Sequence, residues 1–139
     1  MDPSKLLHLF NQKQRLLMKE LNDCLKPFDL YSSQWTILYI LYEKGKMTQT
    51  EIWQYLKVEA PTTTRTLVRM EKSGWITRGI GKDKRERVVE LTESAMQTFP
   101  QVLSAVKVTE KQFLENLSED ELSIFEELLV KLTIERDES

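Results

Sequence analysis

The segment that decides the fold spans residues 48–91 and reads TQTEIWQYLKVEAPTTTRTLVRMEKSGWITRGIGKDKRERVVEL. It opens with Thr48 and Glu51 at the spacing of a capping box. In such a box each of the two side chains accepts a hydrogen bond from a backbone N–H that the first helical turn leaves unpaired. The pattern predicts a short helix that ends around Lys57. The predicted apolar face of this helix consists of Ile52, Tyr55 and Leu56.

A longer helix is predicted after this short one. It begins at Ala60-Pro61, because proline is tolerated at a first helical position, where an N–H would be unpaired in any case. Gly74 predicts its end. Leu67 and Met70 form its predicted buried face. The opposite face carries hydroxyl and guanidinium groups, on Thr62, Thr64, Arg65 and Arg69.

Two strands joined by a charged tip are predicted next. Apolar residues alternate at Ile76 and Ile80, and residues 87–91 form a second extended run that contains Val88-Val89. The tip between the two strands, residues 81–86, reads GKDKRE. The segment therefore predicts a hairpin whose turn is rich in charge.

The N-terminal flank predicts two further helices. The first ends near Pro27, and its apolar side chains recur at helical spacings. They are Leu6, Leu9, Phe10, Leu17, Leu21, Cys24, Leu25 and Phe28. Ser32 or Ser33 is expected to cap the second helix, and Gly45 suits its exit. Its predicted buried face consists of Trp35, Leu38, Tyr39, Leu41 and Tyr42.

The C-terminal flank is helical as well. A stripe begins after Thr92 and consists of Met96, Phe99, Leu103, Val106, Phe113 and Leu117. Pro100 is expected to kink this helix or to shorten its first segment. A second capping box, Ser118 with Glu121, predicts the start of the last helix. The apolar face of that helix consists of Leu122, Phe125, Leu128, Leu129 and Leu132.

This order of elements predicts a mainly α-helical, winged helix-turn-helix fold with about six helices and a two-stranded hairpin wing. We expect an N-terminal dimerisation helix in 1–29, a DNA-binding lobe in 30–91 and C-terminal dimerisation helices in 92–139. One lobe of this size cannot cover the long apolar faces at both ends, whereas a two-fold homodimer would bury them. The candidate dimerisation residues are Leu6, Leu9, Phe10, Leu122, Phe125, Leu129 and Leu132.

The distribution of charge favours a nucleic-acid partner more than the net charge of −2 does. Residues 62–90 hold eight Lys/Arg against four Asp/Glu, and residues 110–139 hold three against ten. The net charge of the whole chain therefore hides a basic middle segment and an acidic C-terminal segment. The basic part coincides with the predicted second helix and hairpin of the helix-turn-helix, where an α-helix can enter the major groove of DNA.

Several function classes are not expected. With one cysteine and one histidine, the chain lacks the ligands of an ordinary zinc site, so we expect no bound metal. The sequence contains neither a glycine-rich phosphate loop nor a Gly-x-Ser-x-Gly elbow, so we expect no cofactor and no enzymatic activity. No apolar run approaches a membrane span, and a cytoplasmic protein is expected. Cys24 is expected to be an apolar thiol, with a redox-sensing role as the alternative.

An ordered set of residues resembles the MarR family of bacterial regulators, the multiple-antibiotic-resistance regulator group. The resemblance covers about residues 30–94 by motif and the flanking helices by layout. The matching positions are Gln34-Trp35, Ile37-Leu38, Gly45, Thr48-Gln49, Glu51-Ile52, Leu56, Val58, Pro61-Thr62, Thr64-Arg65, Leu67, Met70-Glu71, Gly74, Ile76, Arg78, Asp83, Arg85, Val89 and Leu91-Thr92-Glu93. Three positions depart from the family pattern: Tyr31, Trp53 and Ala95.

The resemblance implies a homodimeric transcriptional regulator, typically a ligand-responsive repressor, that binds palindromic double-stranded DNA. It implies that Arg85 enters the minor groove and that Asp83 orients it through an ion pair. It also implies that a small aromatic or anionic effector, or an oxidant, releases DNA in many members. The candidate DNA-binding residues are Pro61, Thr62, Thr64, Arg65, Arg69, Lys82, Asp83, Lys84, Arg85 and Arg87.

These residues are expected to have different roles. Arg65 is the main candidate for a base-edge contact, because a guanidinium can donate two hydrogen bonds to guanine. Arg69, Lys82, Lys84 and Arg87 are expected to bind phosphates. The alternative to DNA binding is a winged-helix protein-interaction module, or an anti-regulator, that docks through its acidic C-terminal helix.

Overall fold

Local capping sets the helix boundaries of the winged region. The computed structural model describes residues 1–82 and 85–136. Within these residues the helices are α1 (Pro3–Leu25), α2 (Ser32–Lys44), α3 (Gln49–Leu56), α4 (Ala60–Lys72), α5 (Glu93–Leu114) and α6 (Glu119–Lys131). The strands are β1 (Met47–Thr48), β2 (Ile76–Ile80) and β3 (Arg87–Leu91), and a 3₁₀ turn spans Lys26–Phe28. The predicted winged helix-turn-helix fold is confirmed.

The capping box of α3 forms as predicted. The Glu51 N–H donates to Thr48 Oγ1 at 3.1 Å, and the Thr48 N–H donates to Glu51 Oε1 at 3.0 Å. Hydrogen bonding to the Glu51 carboxylate, first from the Thr48 backbone N–H and then from the Thr48 side chain, holds the pKa of Glu51 below its usual range, because it favours the charged form. The helix ends where Lys57 adopts a left-handed conformation with φ of 59°. Gly74 likewise follows α4 with φ of 83°, a value that suits glycine.

A third strand accompanies the predicted hairpin. The sheet is antiparallel in the order β1-β3-β2. Strand β1 pairs Met47 with Val89 and Thr48 with Val88. The sequence prediction of a two-stranded hairpin missed β1, because a strand of two residues has no periodicity and exists only through its pairing with β3. This strand ties the start of α3 to the wing.

The start of α2 differs from its prediction. Neither Ser32 nor Ser33 caps the helix; Tyr31 occupies the capping position, and its N–H donates to Gln34 Oε1 at 3.0 Å. The Ser32 N–H donates instead to Asn22 Oδ1 on α1 at 2.7 Å. A side chain ten residues upstream therefore satisfies the first turn, and local sequence could not reveal this partner.

The core joins helices α1 to α5 to the sheet. Its fully buried side chains include Leu25, Leu38, Ile52, Leu67, Met70, Ile76, Val89, Phe99, Val102 and Val106. Three tyrosines predicted to be buried are exposed instead, at 44% for Tyr39, 41% for Tyr42 and 51% for Tyr55. A tyrosine at helical spacing can lie over the edge of a core with its hydroxyl in water, so the spacing alone overstated burial. Lys44 Nζ lies 4.1 Å from the centre of the Tyr55 ring.

The inner face of α5 is shifted relative to its predicted stripe. The buried residues are Ala95, Phe99, Val102, Val106 and Thr109, whereas Met96 is exposed. Pro100 lies inside this helix, and the predicted shortening is wrong because α5 runs unbroken from Glu93 to Leu114. The buried residues on both sides of Pro100 pack against the core and hold the helix together, although proline removes one backbone donor.

Ile52 and Tyr55 should differ sharply in their contribution to stability. Ile52→Ala removes a fully buried side chain and should lower the free energy of unfolding by about 2–5 kcal/mol. Tyr55→Ala, on the same helix, removes an exposed ring and one cation–π contact and should cost about 1 kcal/mol or less. Urea denaturation of both variants measures the difference. Equal losses would contradict the assigned orientation of α3.

Candidate nucleic-acid interface

One face of α4 is exposed and polar. Its buried positions are Thr63, Leu67 and Met70, which recur at helical spacing and pack into the core. The opposite face remains in water and carries Pro61, Thr62, Thr64, Arg65 and Arg69, all of them exposed. All five α4 residues of the predicted DNA-binding set thus lie on the accessible side of one helix.

Hydrogen bonds order the side chains of this face. Arg65 Nη2 donates to Thr62 Oγ1 at 3.3 Å, so the guanidinium lies along the first turn of α4. Thr64 Oγ1 donates to the Ala60 carbonyl at 3.0 Å. That hydroxyl proton is already engaged, so Thr64 presents an acceptor unless its side chain rotates. Arg65 keeps further N–H donors, because a guanidinium has five.

The wing carries a second group of predicted residues. Lys82, Arg85 and Arg87 are exposed. Arg87 is the cross-strand neighbour of Ile80 at the end of the β2–β3 ladder next to the hairpin tip. Asp83 and Lys84 lie outside the described residues, and the predicted ion pair between Asp83 and Arg85 therefore stays a prediction. The structure places the α4 group and the wing group on two separate elements of one lobe.

Arg78 has a role that the sequence did not reveal. It was counted with the basic charges of the segment, yet its side chain is only 17% exposed. Its Nη1 donates to Gln49 Oε1 at 3.0 Å, and its Nε and Nη2 both donate to Glu71 Oε1 at 3.3 Å. One guanidinium thus joins α3, the last turn of α4 and strand β2. The partners stand 29 and 7 residues away in the chain, so no local pattern pointed to them.

Thr92 connects the lobe to the C-terminal helices. Its N–H donates to the Trp75 carbonyl at 3.1 Å, and its Oγ1 donates to the Gly74 carbonyl at 2.7 Å. The same oxygen accepts the Ala95 N–H at 3.1 Å and so caps α5. The start of α5 is therefore bonded directly to the turn that follows α4.

The predicted dimerisation residues lie in the N-terminal half of α1 and along α6 up to Leu132, which follows its last residue. In α1 the fully buried residues are Leu21 and Leu25, both near its C-terminal end, and α6 has no fully buried residue within the described chain. Leu122 is half-buried. The other six are exposed: Leu6, Leu9, Phe10, Phe125, Leu129 and Leu132.

The one cysteine of the sequence, Cys24, lies near the C-terminal end of α1. The Cys24 thiol is half-buried and donates to the Leu21 carbonyl, with 3.2 Å between Sγ and O. Among residues 1–82 and 85–136, no three His, Cys, Asp or Glu side chains cluster in a way that could hold a metal ion. In the same residues no helix is long and apolar enough to cross a membrane.

Comparison with known proteins agrees with this geometry. The model of the MarR family matches residues 30–86. An uncharacterized HTH-type transcriptional regulator, YwoH of Bacillus subtilis (strain 168), is 45% identical over 123 residues, which is 88% of this chain and 90% of that protein.

Two solved structures are similar over most of their length. A mutant MarR from E. coli, complexed with operator DNA, has a TM-score of 0.84 and 28% identity, over 91% of this chain and 92% of the other. Reduced AbfR bound to DNA has a TM-score of 0.77 and 28% identity, over 92% of this chain and 89% of the other. With an exposed polar α4 beside a charged wing, and with a regulator 45% identical over nine-tenths of its length, the chain belongs to the MarR family of DNA-binding, winged helix-turn-helix transcriptional regulators.

Proposed function

We propose that this protein is a repressor that binds an inverted-repeat operator as a homodimer and responds to a small aromatic or anionic effector. The observation that carries the proposal is the exposed Thr62–Arg65 face of α4, which the packing of Leu67 and Met70 turns toward water. The E. coli MarR mutant, which has a similar fold, is complexed with operator DNA in its crystal structure. An α-helix with such a face fits the major groove.

The two groups of residues in the lobe are proposed to contact different parts of the duplex. Arg65 would read a base edge, because it can donate a fork of two hydrogen bonds to guanine. Arg85 would lie in the minor groove, where narrow A·T-rich segments have a negative potential that attracts arginine. The exposed Lys82, Arg69 and Arg87 would bind phosphates, and these contacts would supply affinity without sequence preference.

Homodimerisation is proposed through α1, α5 and α6. The exposed apolar residues of α1 and α6 are too many for a stable lone protomer, since large apolar patches on soluble proteins mark interfaces. A two-fold axis would present two copies of α4 to successive major grooves, about 10 bp apart between half-site centres. The acidic α6, which holds Glu119, Asp120 and Glu121 in its first turn, would then lie away from phosphates.

An aromatic cluster between α2 and α5 supports the proposed effector response. The Phe99 ring stacks on Trp35, with centroids 5.5 Å apart, and on Tyr42, at 4.0 Å. Tyr39 and Tyr42 are the exposed members of this cluster, so an aromatic compound would contact it at these two side chains. An effector would release DNA only if it bound the DNA-incompetent state better than the DNA-bound state.

Arg65 and Lys82 should separate base reading from phosphate binding. The purified protein should select an inverted repeat from a random DNA pool. On that duplex Arg65→Ala should cost about 1–3 kcal/mol per half-site and relax the preference at one symmetric base pair. The matched control Lys82→Ala should weaken binding to selected and scrambled duplexes alike and flatten the salt slope by about one unit per lost phosphate contact. Titrations at several salt concentrations measure both effects.

Two outcomes of these titrations would contradict the assignment. If Arg65→Ala weakened binding to selected and scrambled DNA equally, Arg65 would be a phosphate contact. If the unmodified protein showed no salt-dependent DNA binding at all, the protein-interaction alternative, with the acidic α6 as the docking face, would be favoured.

A charge placed in the apolar flanks should break the dimer. Phe10→Asp and Phe125→Asp each introduce a carboxylate into the proposed interface and should shift the protein toward monomer, because an unpaired buried charge is costly. Gln54→Asp, at an exposed position of α3, is the control and should leave the dimer intact. Sedimentation equilibrium of the unmodified protein should give twice the chain mass of 16.4 kDa. A monomeric unmodified protein would refute the proposal.

A further inference from the structure

Arg78 occupies the point where three elements of the lobe meet. It lies in the middle of β2, and its cross-strand neighbour is the fully buried Val89. Its guanidinium donates to Gln49, the first residue of α3, and twice to Glu71, in the last turn of α4. The backbone of Arg78 is thus held by the sheet while its side chain holds the two helices of the helix-turn-helix.

The bonding pattern leaves Arg78 poorly suited to bind a phosphate itself. The Nε, Nη1 and Nη2 atoms each donate within the lobe, and 17% of the side chain is exposed. Arg65 by contrast is exposed and makes one bond to a neighbouring hydroxyl. The two arginines therefore differ in kind, although both belong to the basic segment of the sequence.

The contacts of Arg78 also explain why an arginine stands at this position. A guanidinium is planar and presents its donors in a fixed fork, so it can bind a carboxylate with one edge and an amide oxygen with another. A lysine ammonium is a compact charge on a flexible stem and would not fix the relative placement of α3, α4 and β2 in the same way.

We propose that Arg78 is a positioning residue for DNA recognition, which locks the recognition helix α4 and the wing into one unit through Gln49 and Glu71. The inference rests on the proposed DNA-binding function and adds the device that sets its geometry. When α4 and the wing keep a fixed relation, the major-groove contact of Arg65 and the minor-groove contact of Arg85 can be made together. Without the lock, α4 and the wing gain freedom relative to each other, and making both contacts at once costs more conformational entropy.

The first test compares Arg78→Gln with Arg87→Gln, which removes the same charge from the paired strand. Arg78→Gln should lower affinity for the selected inverted repeat about 10-fold or more, because charge-assisted hydrogen bonds are lost. It should change binding to scrambled DNA and the salt slope much less. Arg87→Gln should weaken both duplexes alike and flatten the salt slope. Arg78→Lys should restore little of the lost specificity.

The second test uses the sign of a charge change. Glu71→Gln removes a negative charge from the proposed recognition helix, so simple electrostatics predicts tighter binding to every duplex. The positioning role predicts instead a lower ratio of selected to scrambled affinity. The charge-reversed pair, Arg78→Glu with Glu71→Arg, should recover part of that ratio relative to Arg78→Glu alone. Thermal unfolding of every variant, without DNA, shows whether the fold is retained.

The outcomes separate this inference from the proposed function. The positioning role would be overturned if Arg78→Gln had the same effects on DNA binding as Arg87→Gln. It would also be overturned if Glu71→Gln left the ratio of selected to scrambled affinity unchanged or raised it. In both cases the proposed DNA-binding function would stand. If Arg78→Gln were unfolded, Glu71→Gln would still decide. If the unmodified protein bound selected and scrambled DNA equally, the proposed function would fail, and the inference with it.

Discussion

The burial of Leu67 and Met70 fixes the rotation of α4, and the DNA-facing side of the lobe depends on it. Both side chains are fully buried, as is most of Thr63. With 3.6 residues per turn, burial of these positions leaves the Thr62, Arg65 and Arg69 side in water. Burying one such apolar side chain is worth about 1.5–3 kcal/mol, more than an exposed polar contact contributes. The recognition face is therefore set by the core before any DNA is present.

Two polar contacts extend this constraint from the lobe to its flanks. Asn22 of α1 accepts the first N–H of α2, and Thr92 binds the turn after α4 while it caps α5. Two of the helices proposed to form the dimer are thus bonded to the lobe, α1 at the start of α2 and α5 at the turn after α4. A small displacement of α1 would reach α2, and one of α5 would reach the end of α4, through these bonds. Such coupling is what an effector at the α2–α5 aromatic cluster would need in order to change DNA binding.

The parts of the fold that local sequence controls were predictable. Helices α3 and α4 begin and end where the Thr48–Glu51 box, Pro61 and Gly74 place them, because capping involves neighbours in the chain. The parts that depend on distant partners were not predictable. Strand β1 exists only through pairing with Val88 and Val89, and the acceptor for the Ser32 N–H at the start of α2 is Asn22 of another helix.

Side-chain burial showed the same division between local and distant causes. The exposed tyrosines of α2 and the exposed Met96 of α5 have the helical spacing of core residues, yet the core contains Ile37, Ile40 and Val102 instead. Hydrophobic positions surround α2 almost completely, so periodicity could not select its inner face. Of the basic residues, the α4 arginines were placed correctly on an exposed face. Arg78 could not be told from them, because its partners are far away in the chain.

The central claim, that α4 enters the major groove while the wing follows the minor groove, can be tested by cleavage from a tethered reagent. In a Cys24→Ser background, Glu59→Cys marks the start of α4, Glu86→Cys marks the wing, and Glu127→Cys marks α6; all three glutamates are exposed. An iron chelate on each thiol generates hydroxyl radicals on the selected duplex. The account predicts major-groove cleavage at two sites about 10 bp apart from position 59, minor-groove cleavage from position 86 and none from position 127. Cleavage from position 127, or the same pattern from positions 59 and 86, would contradict it.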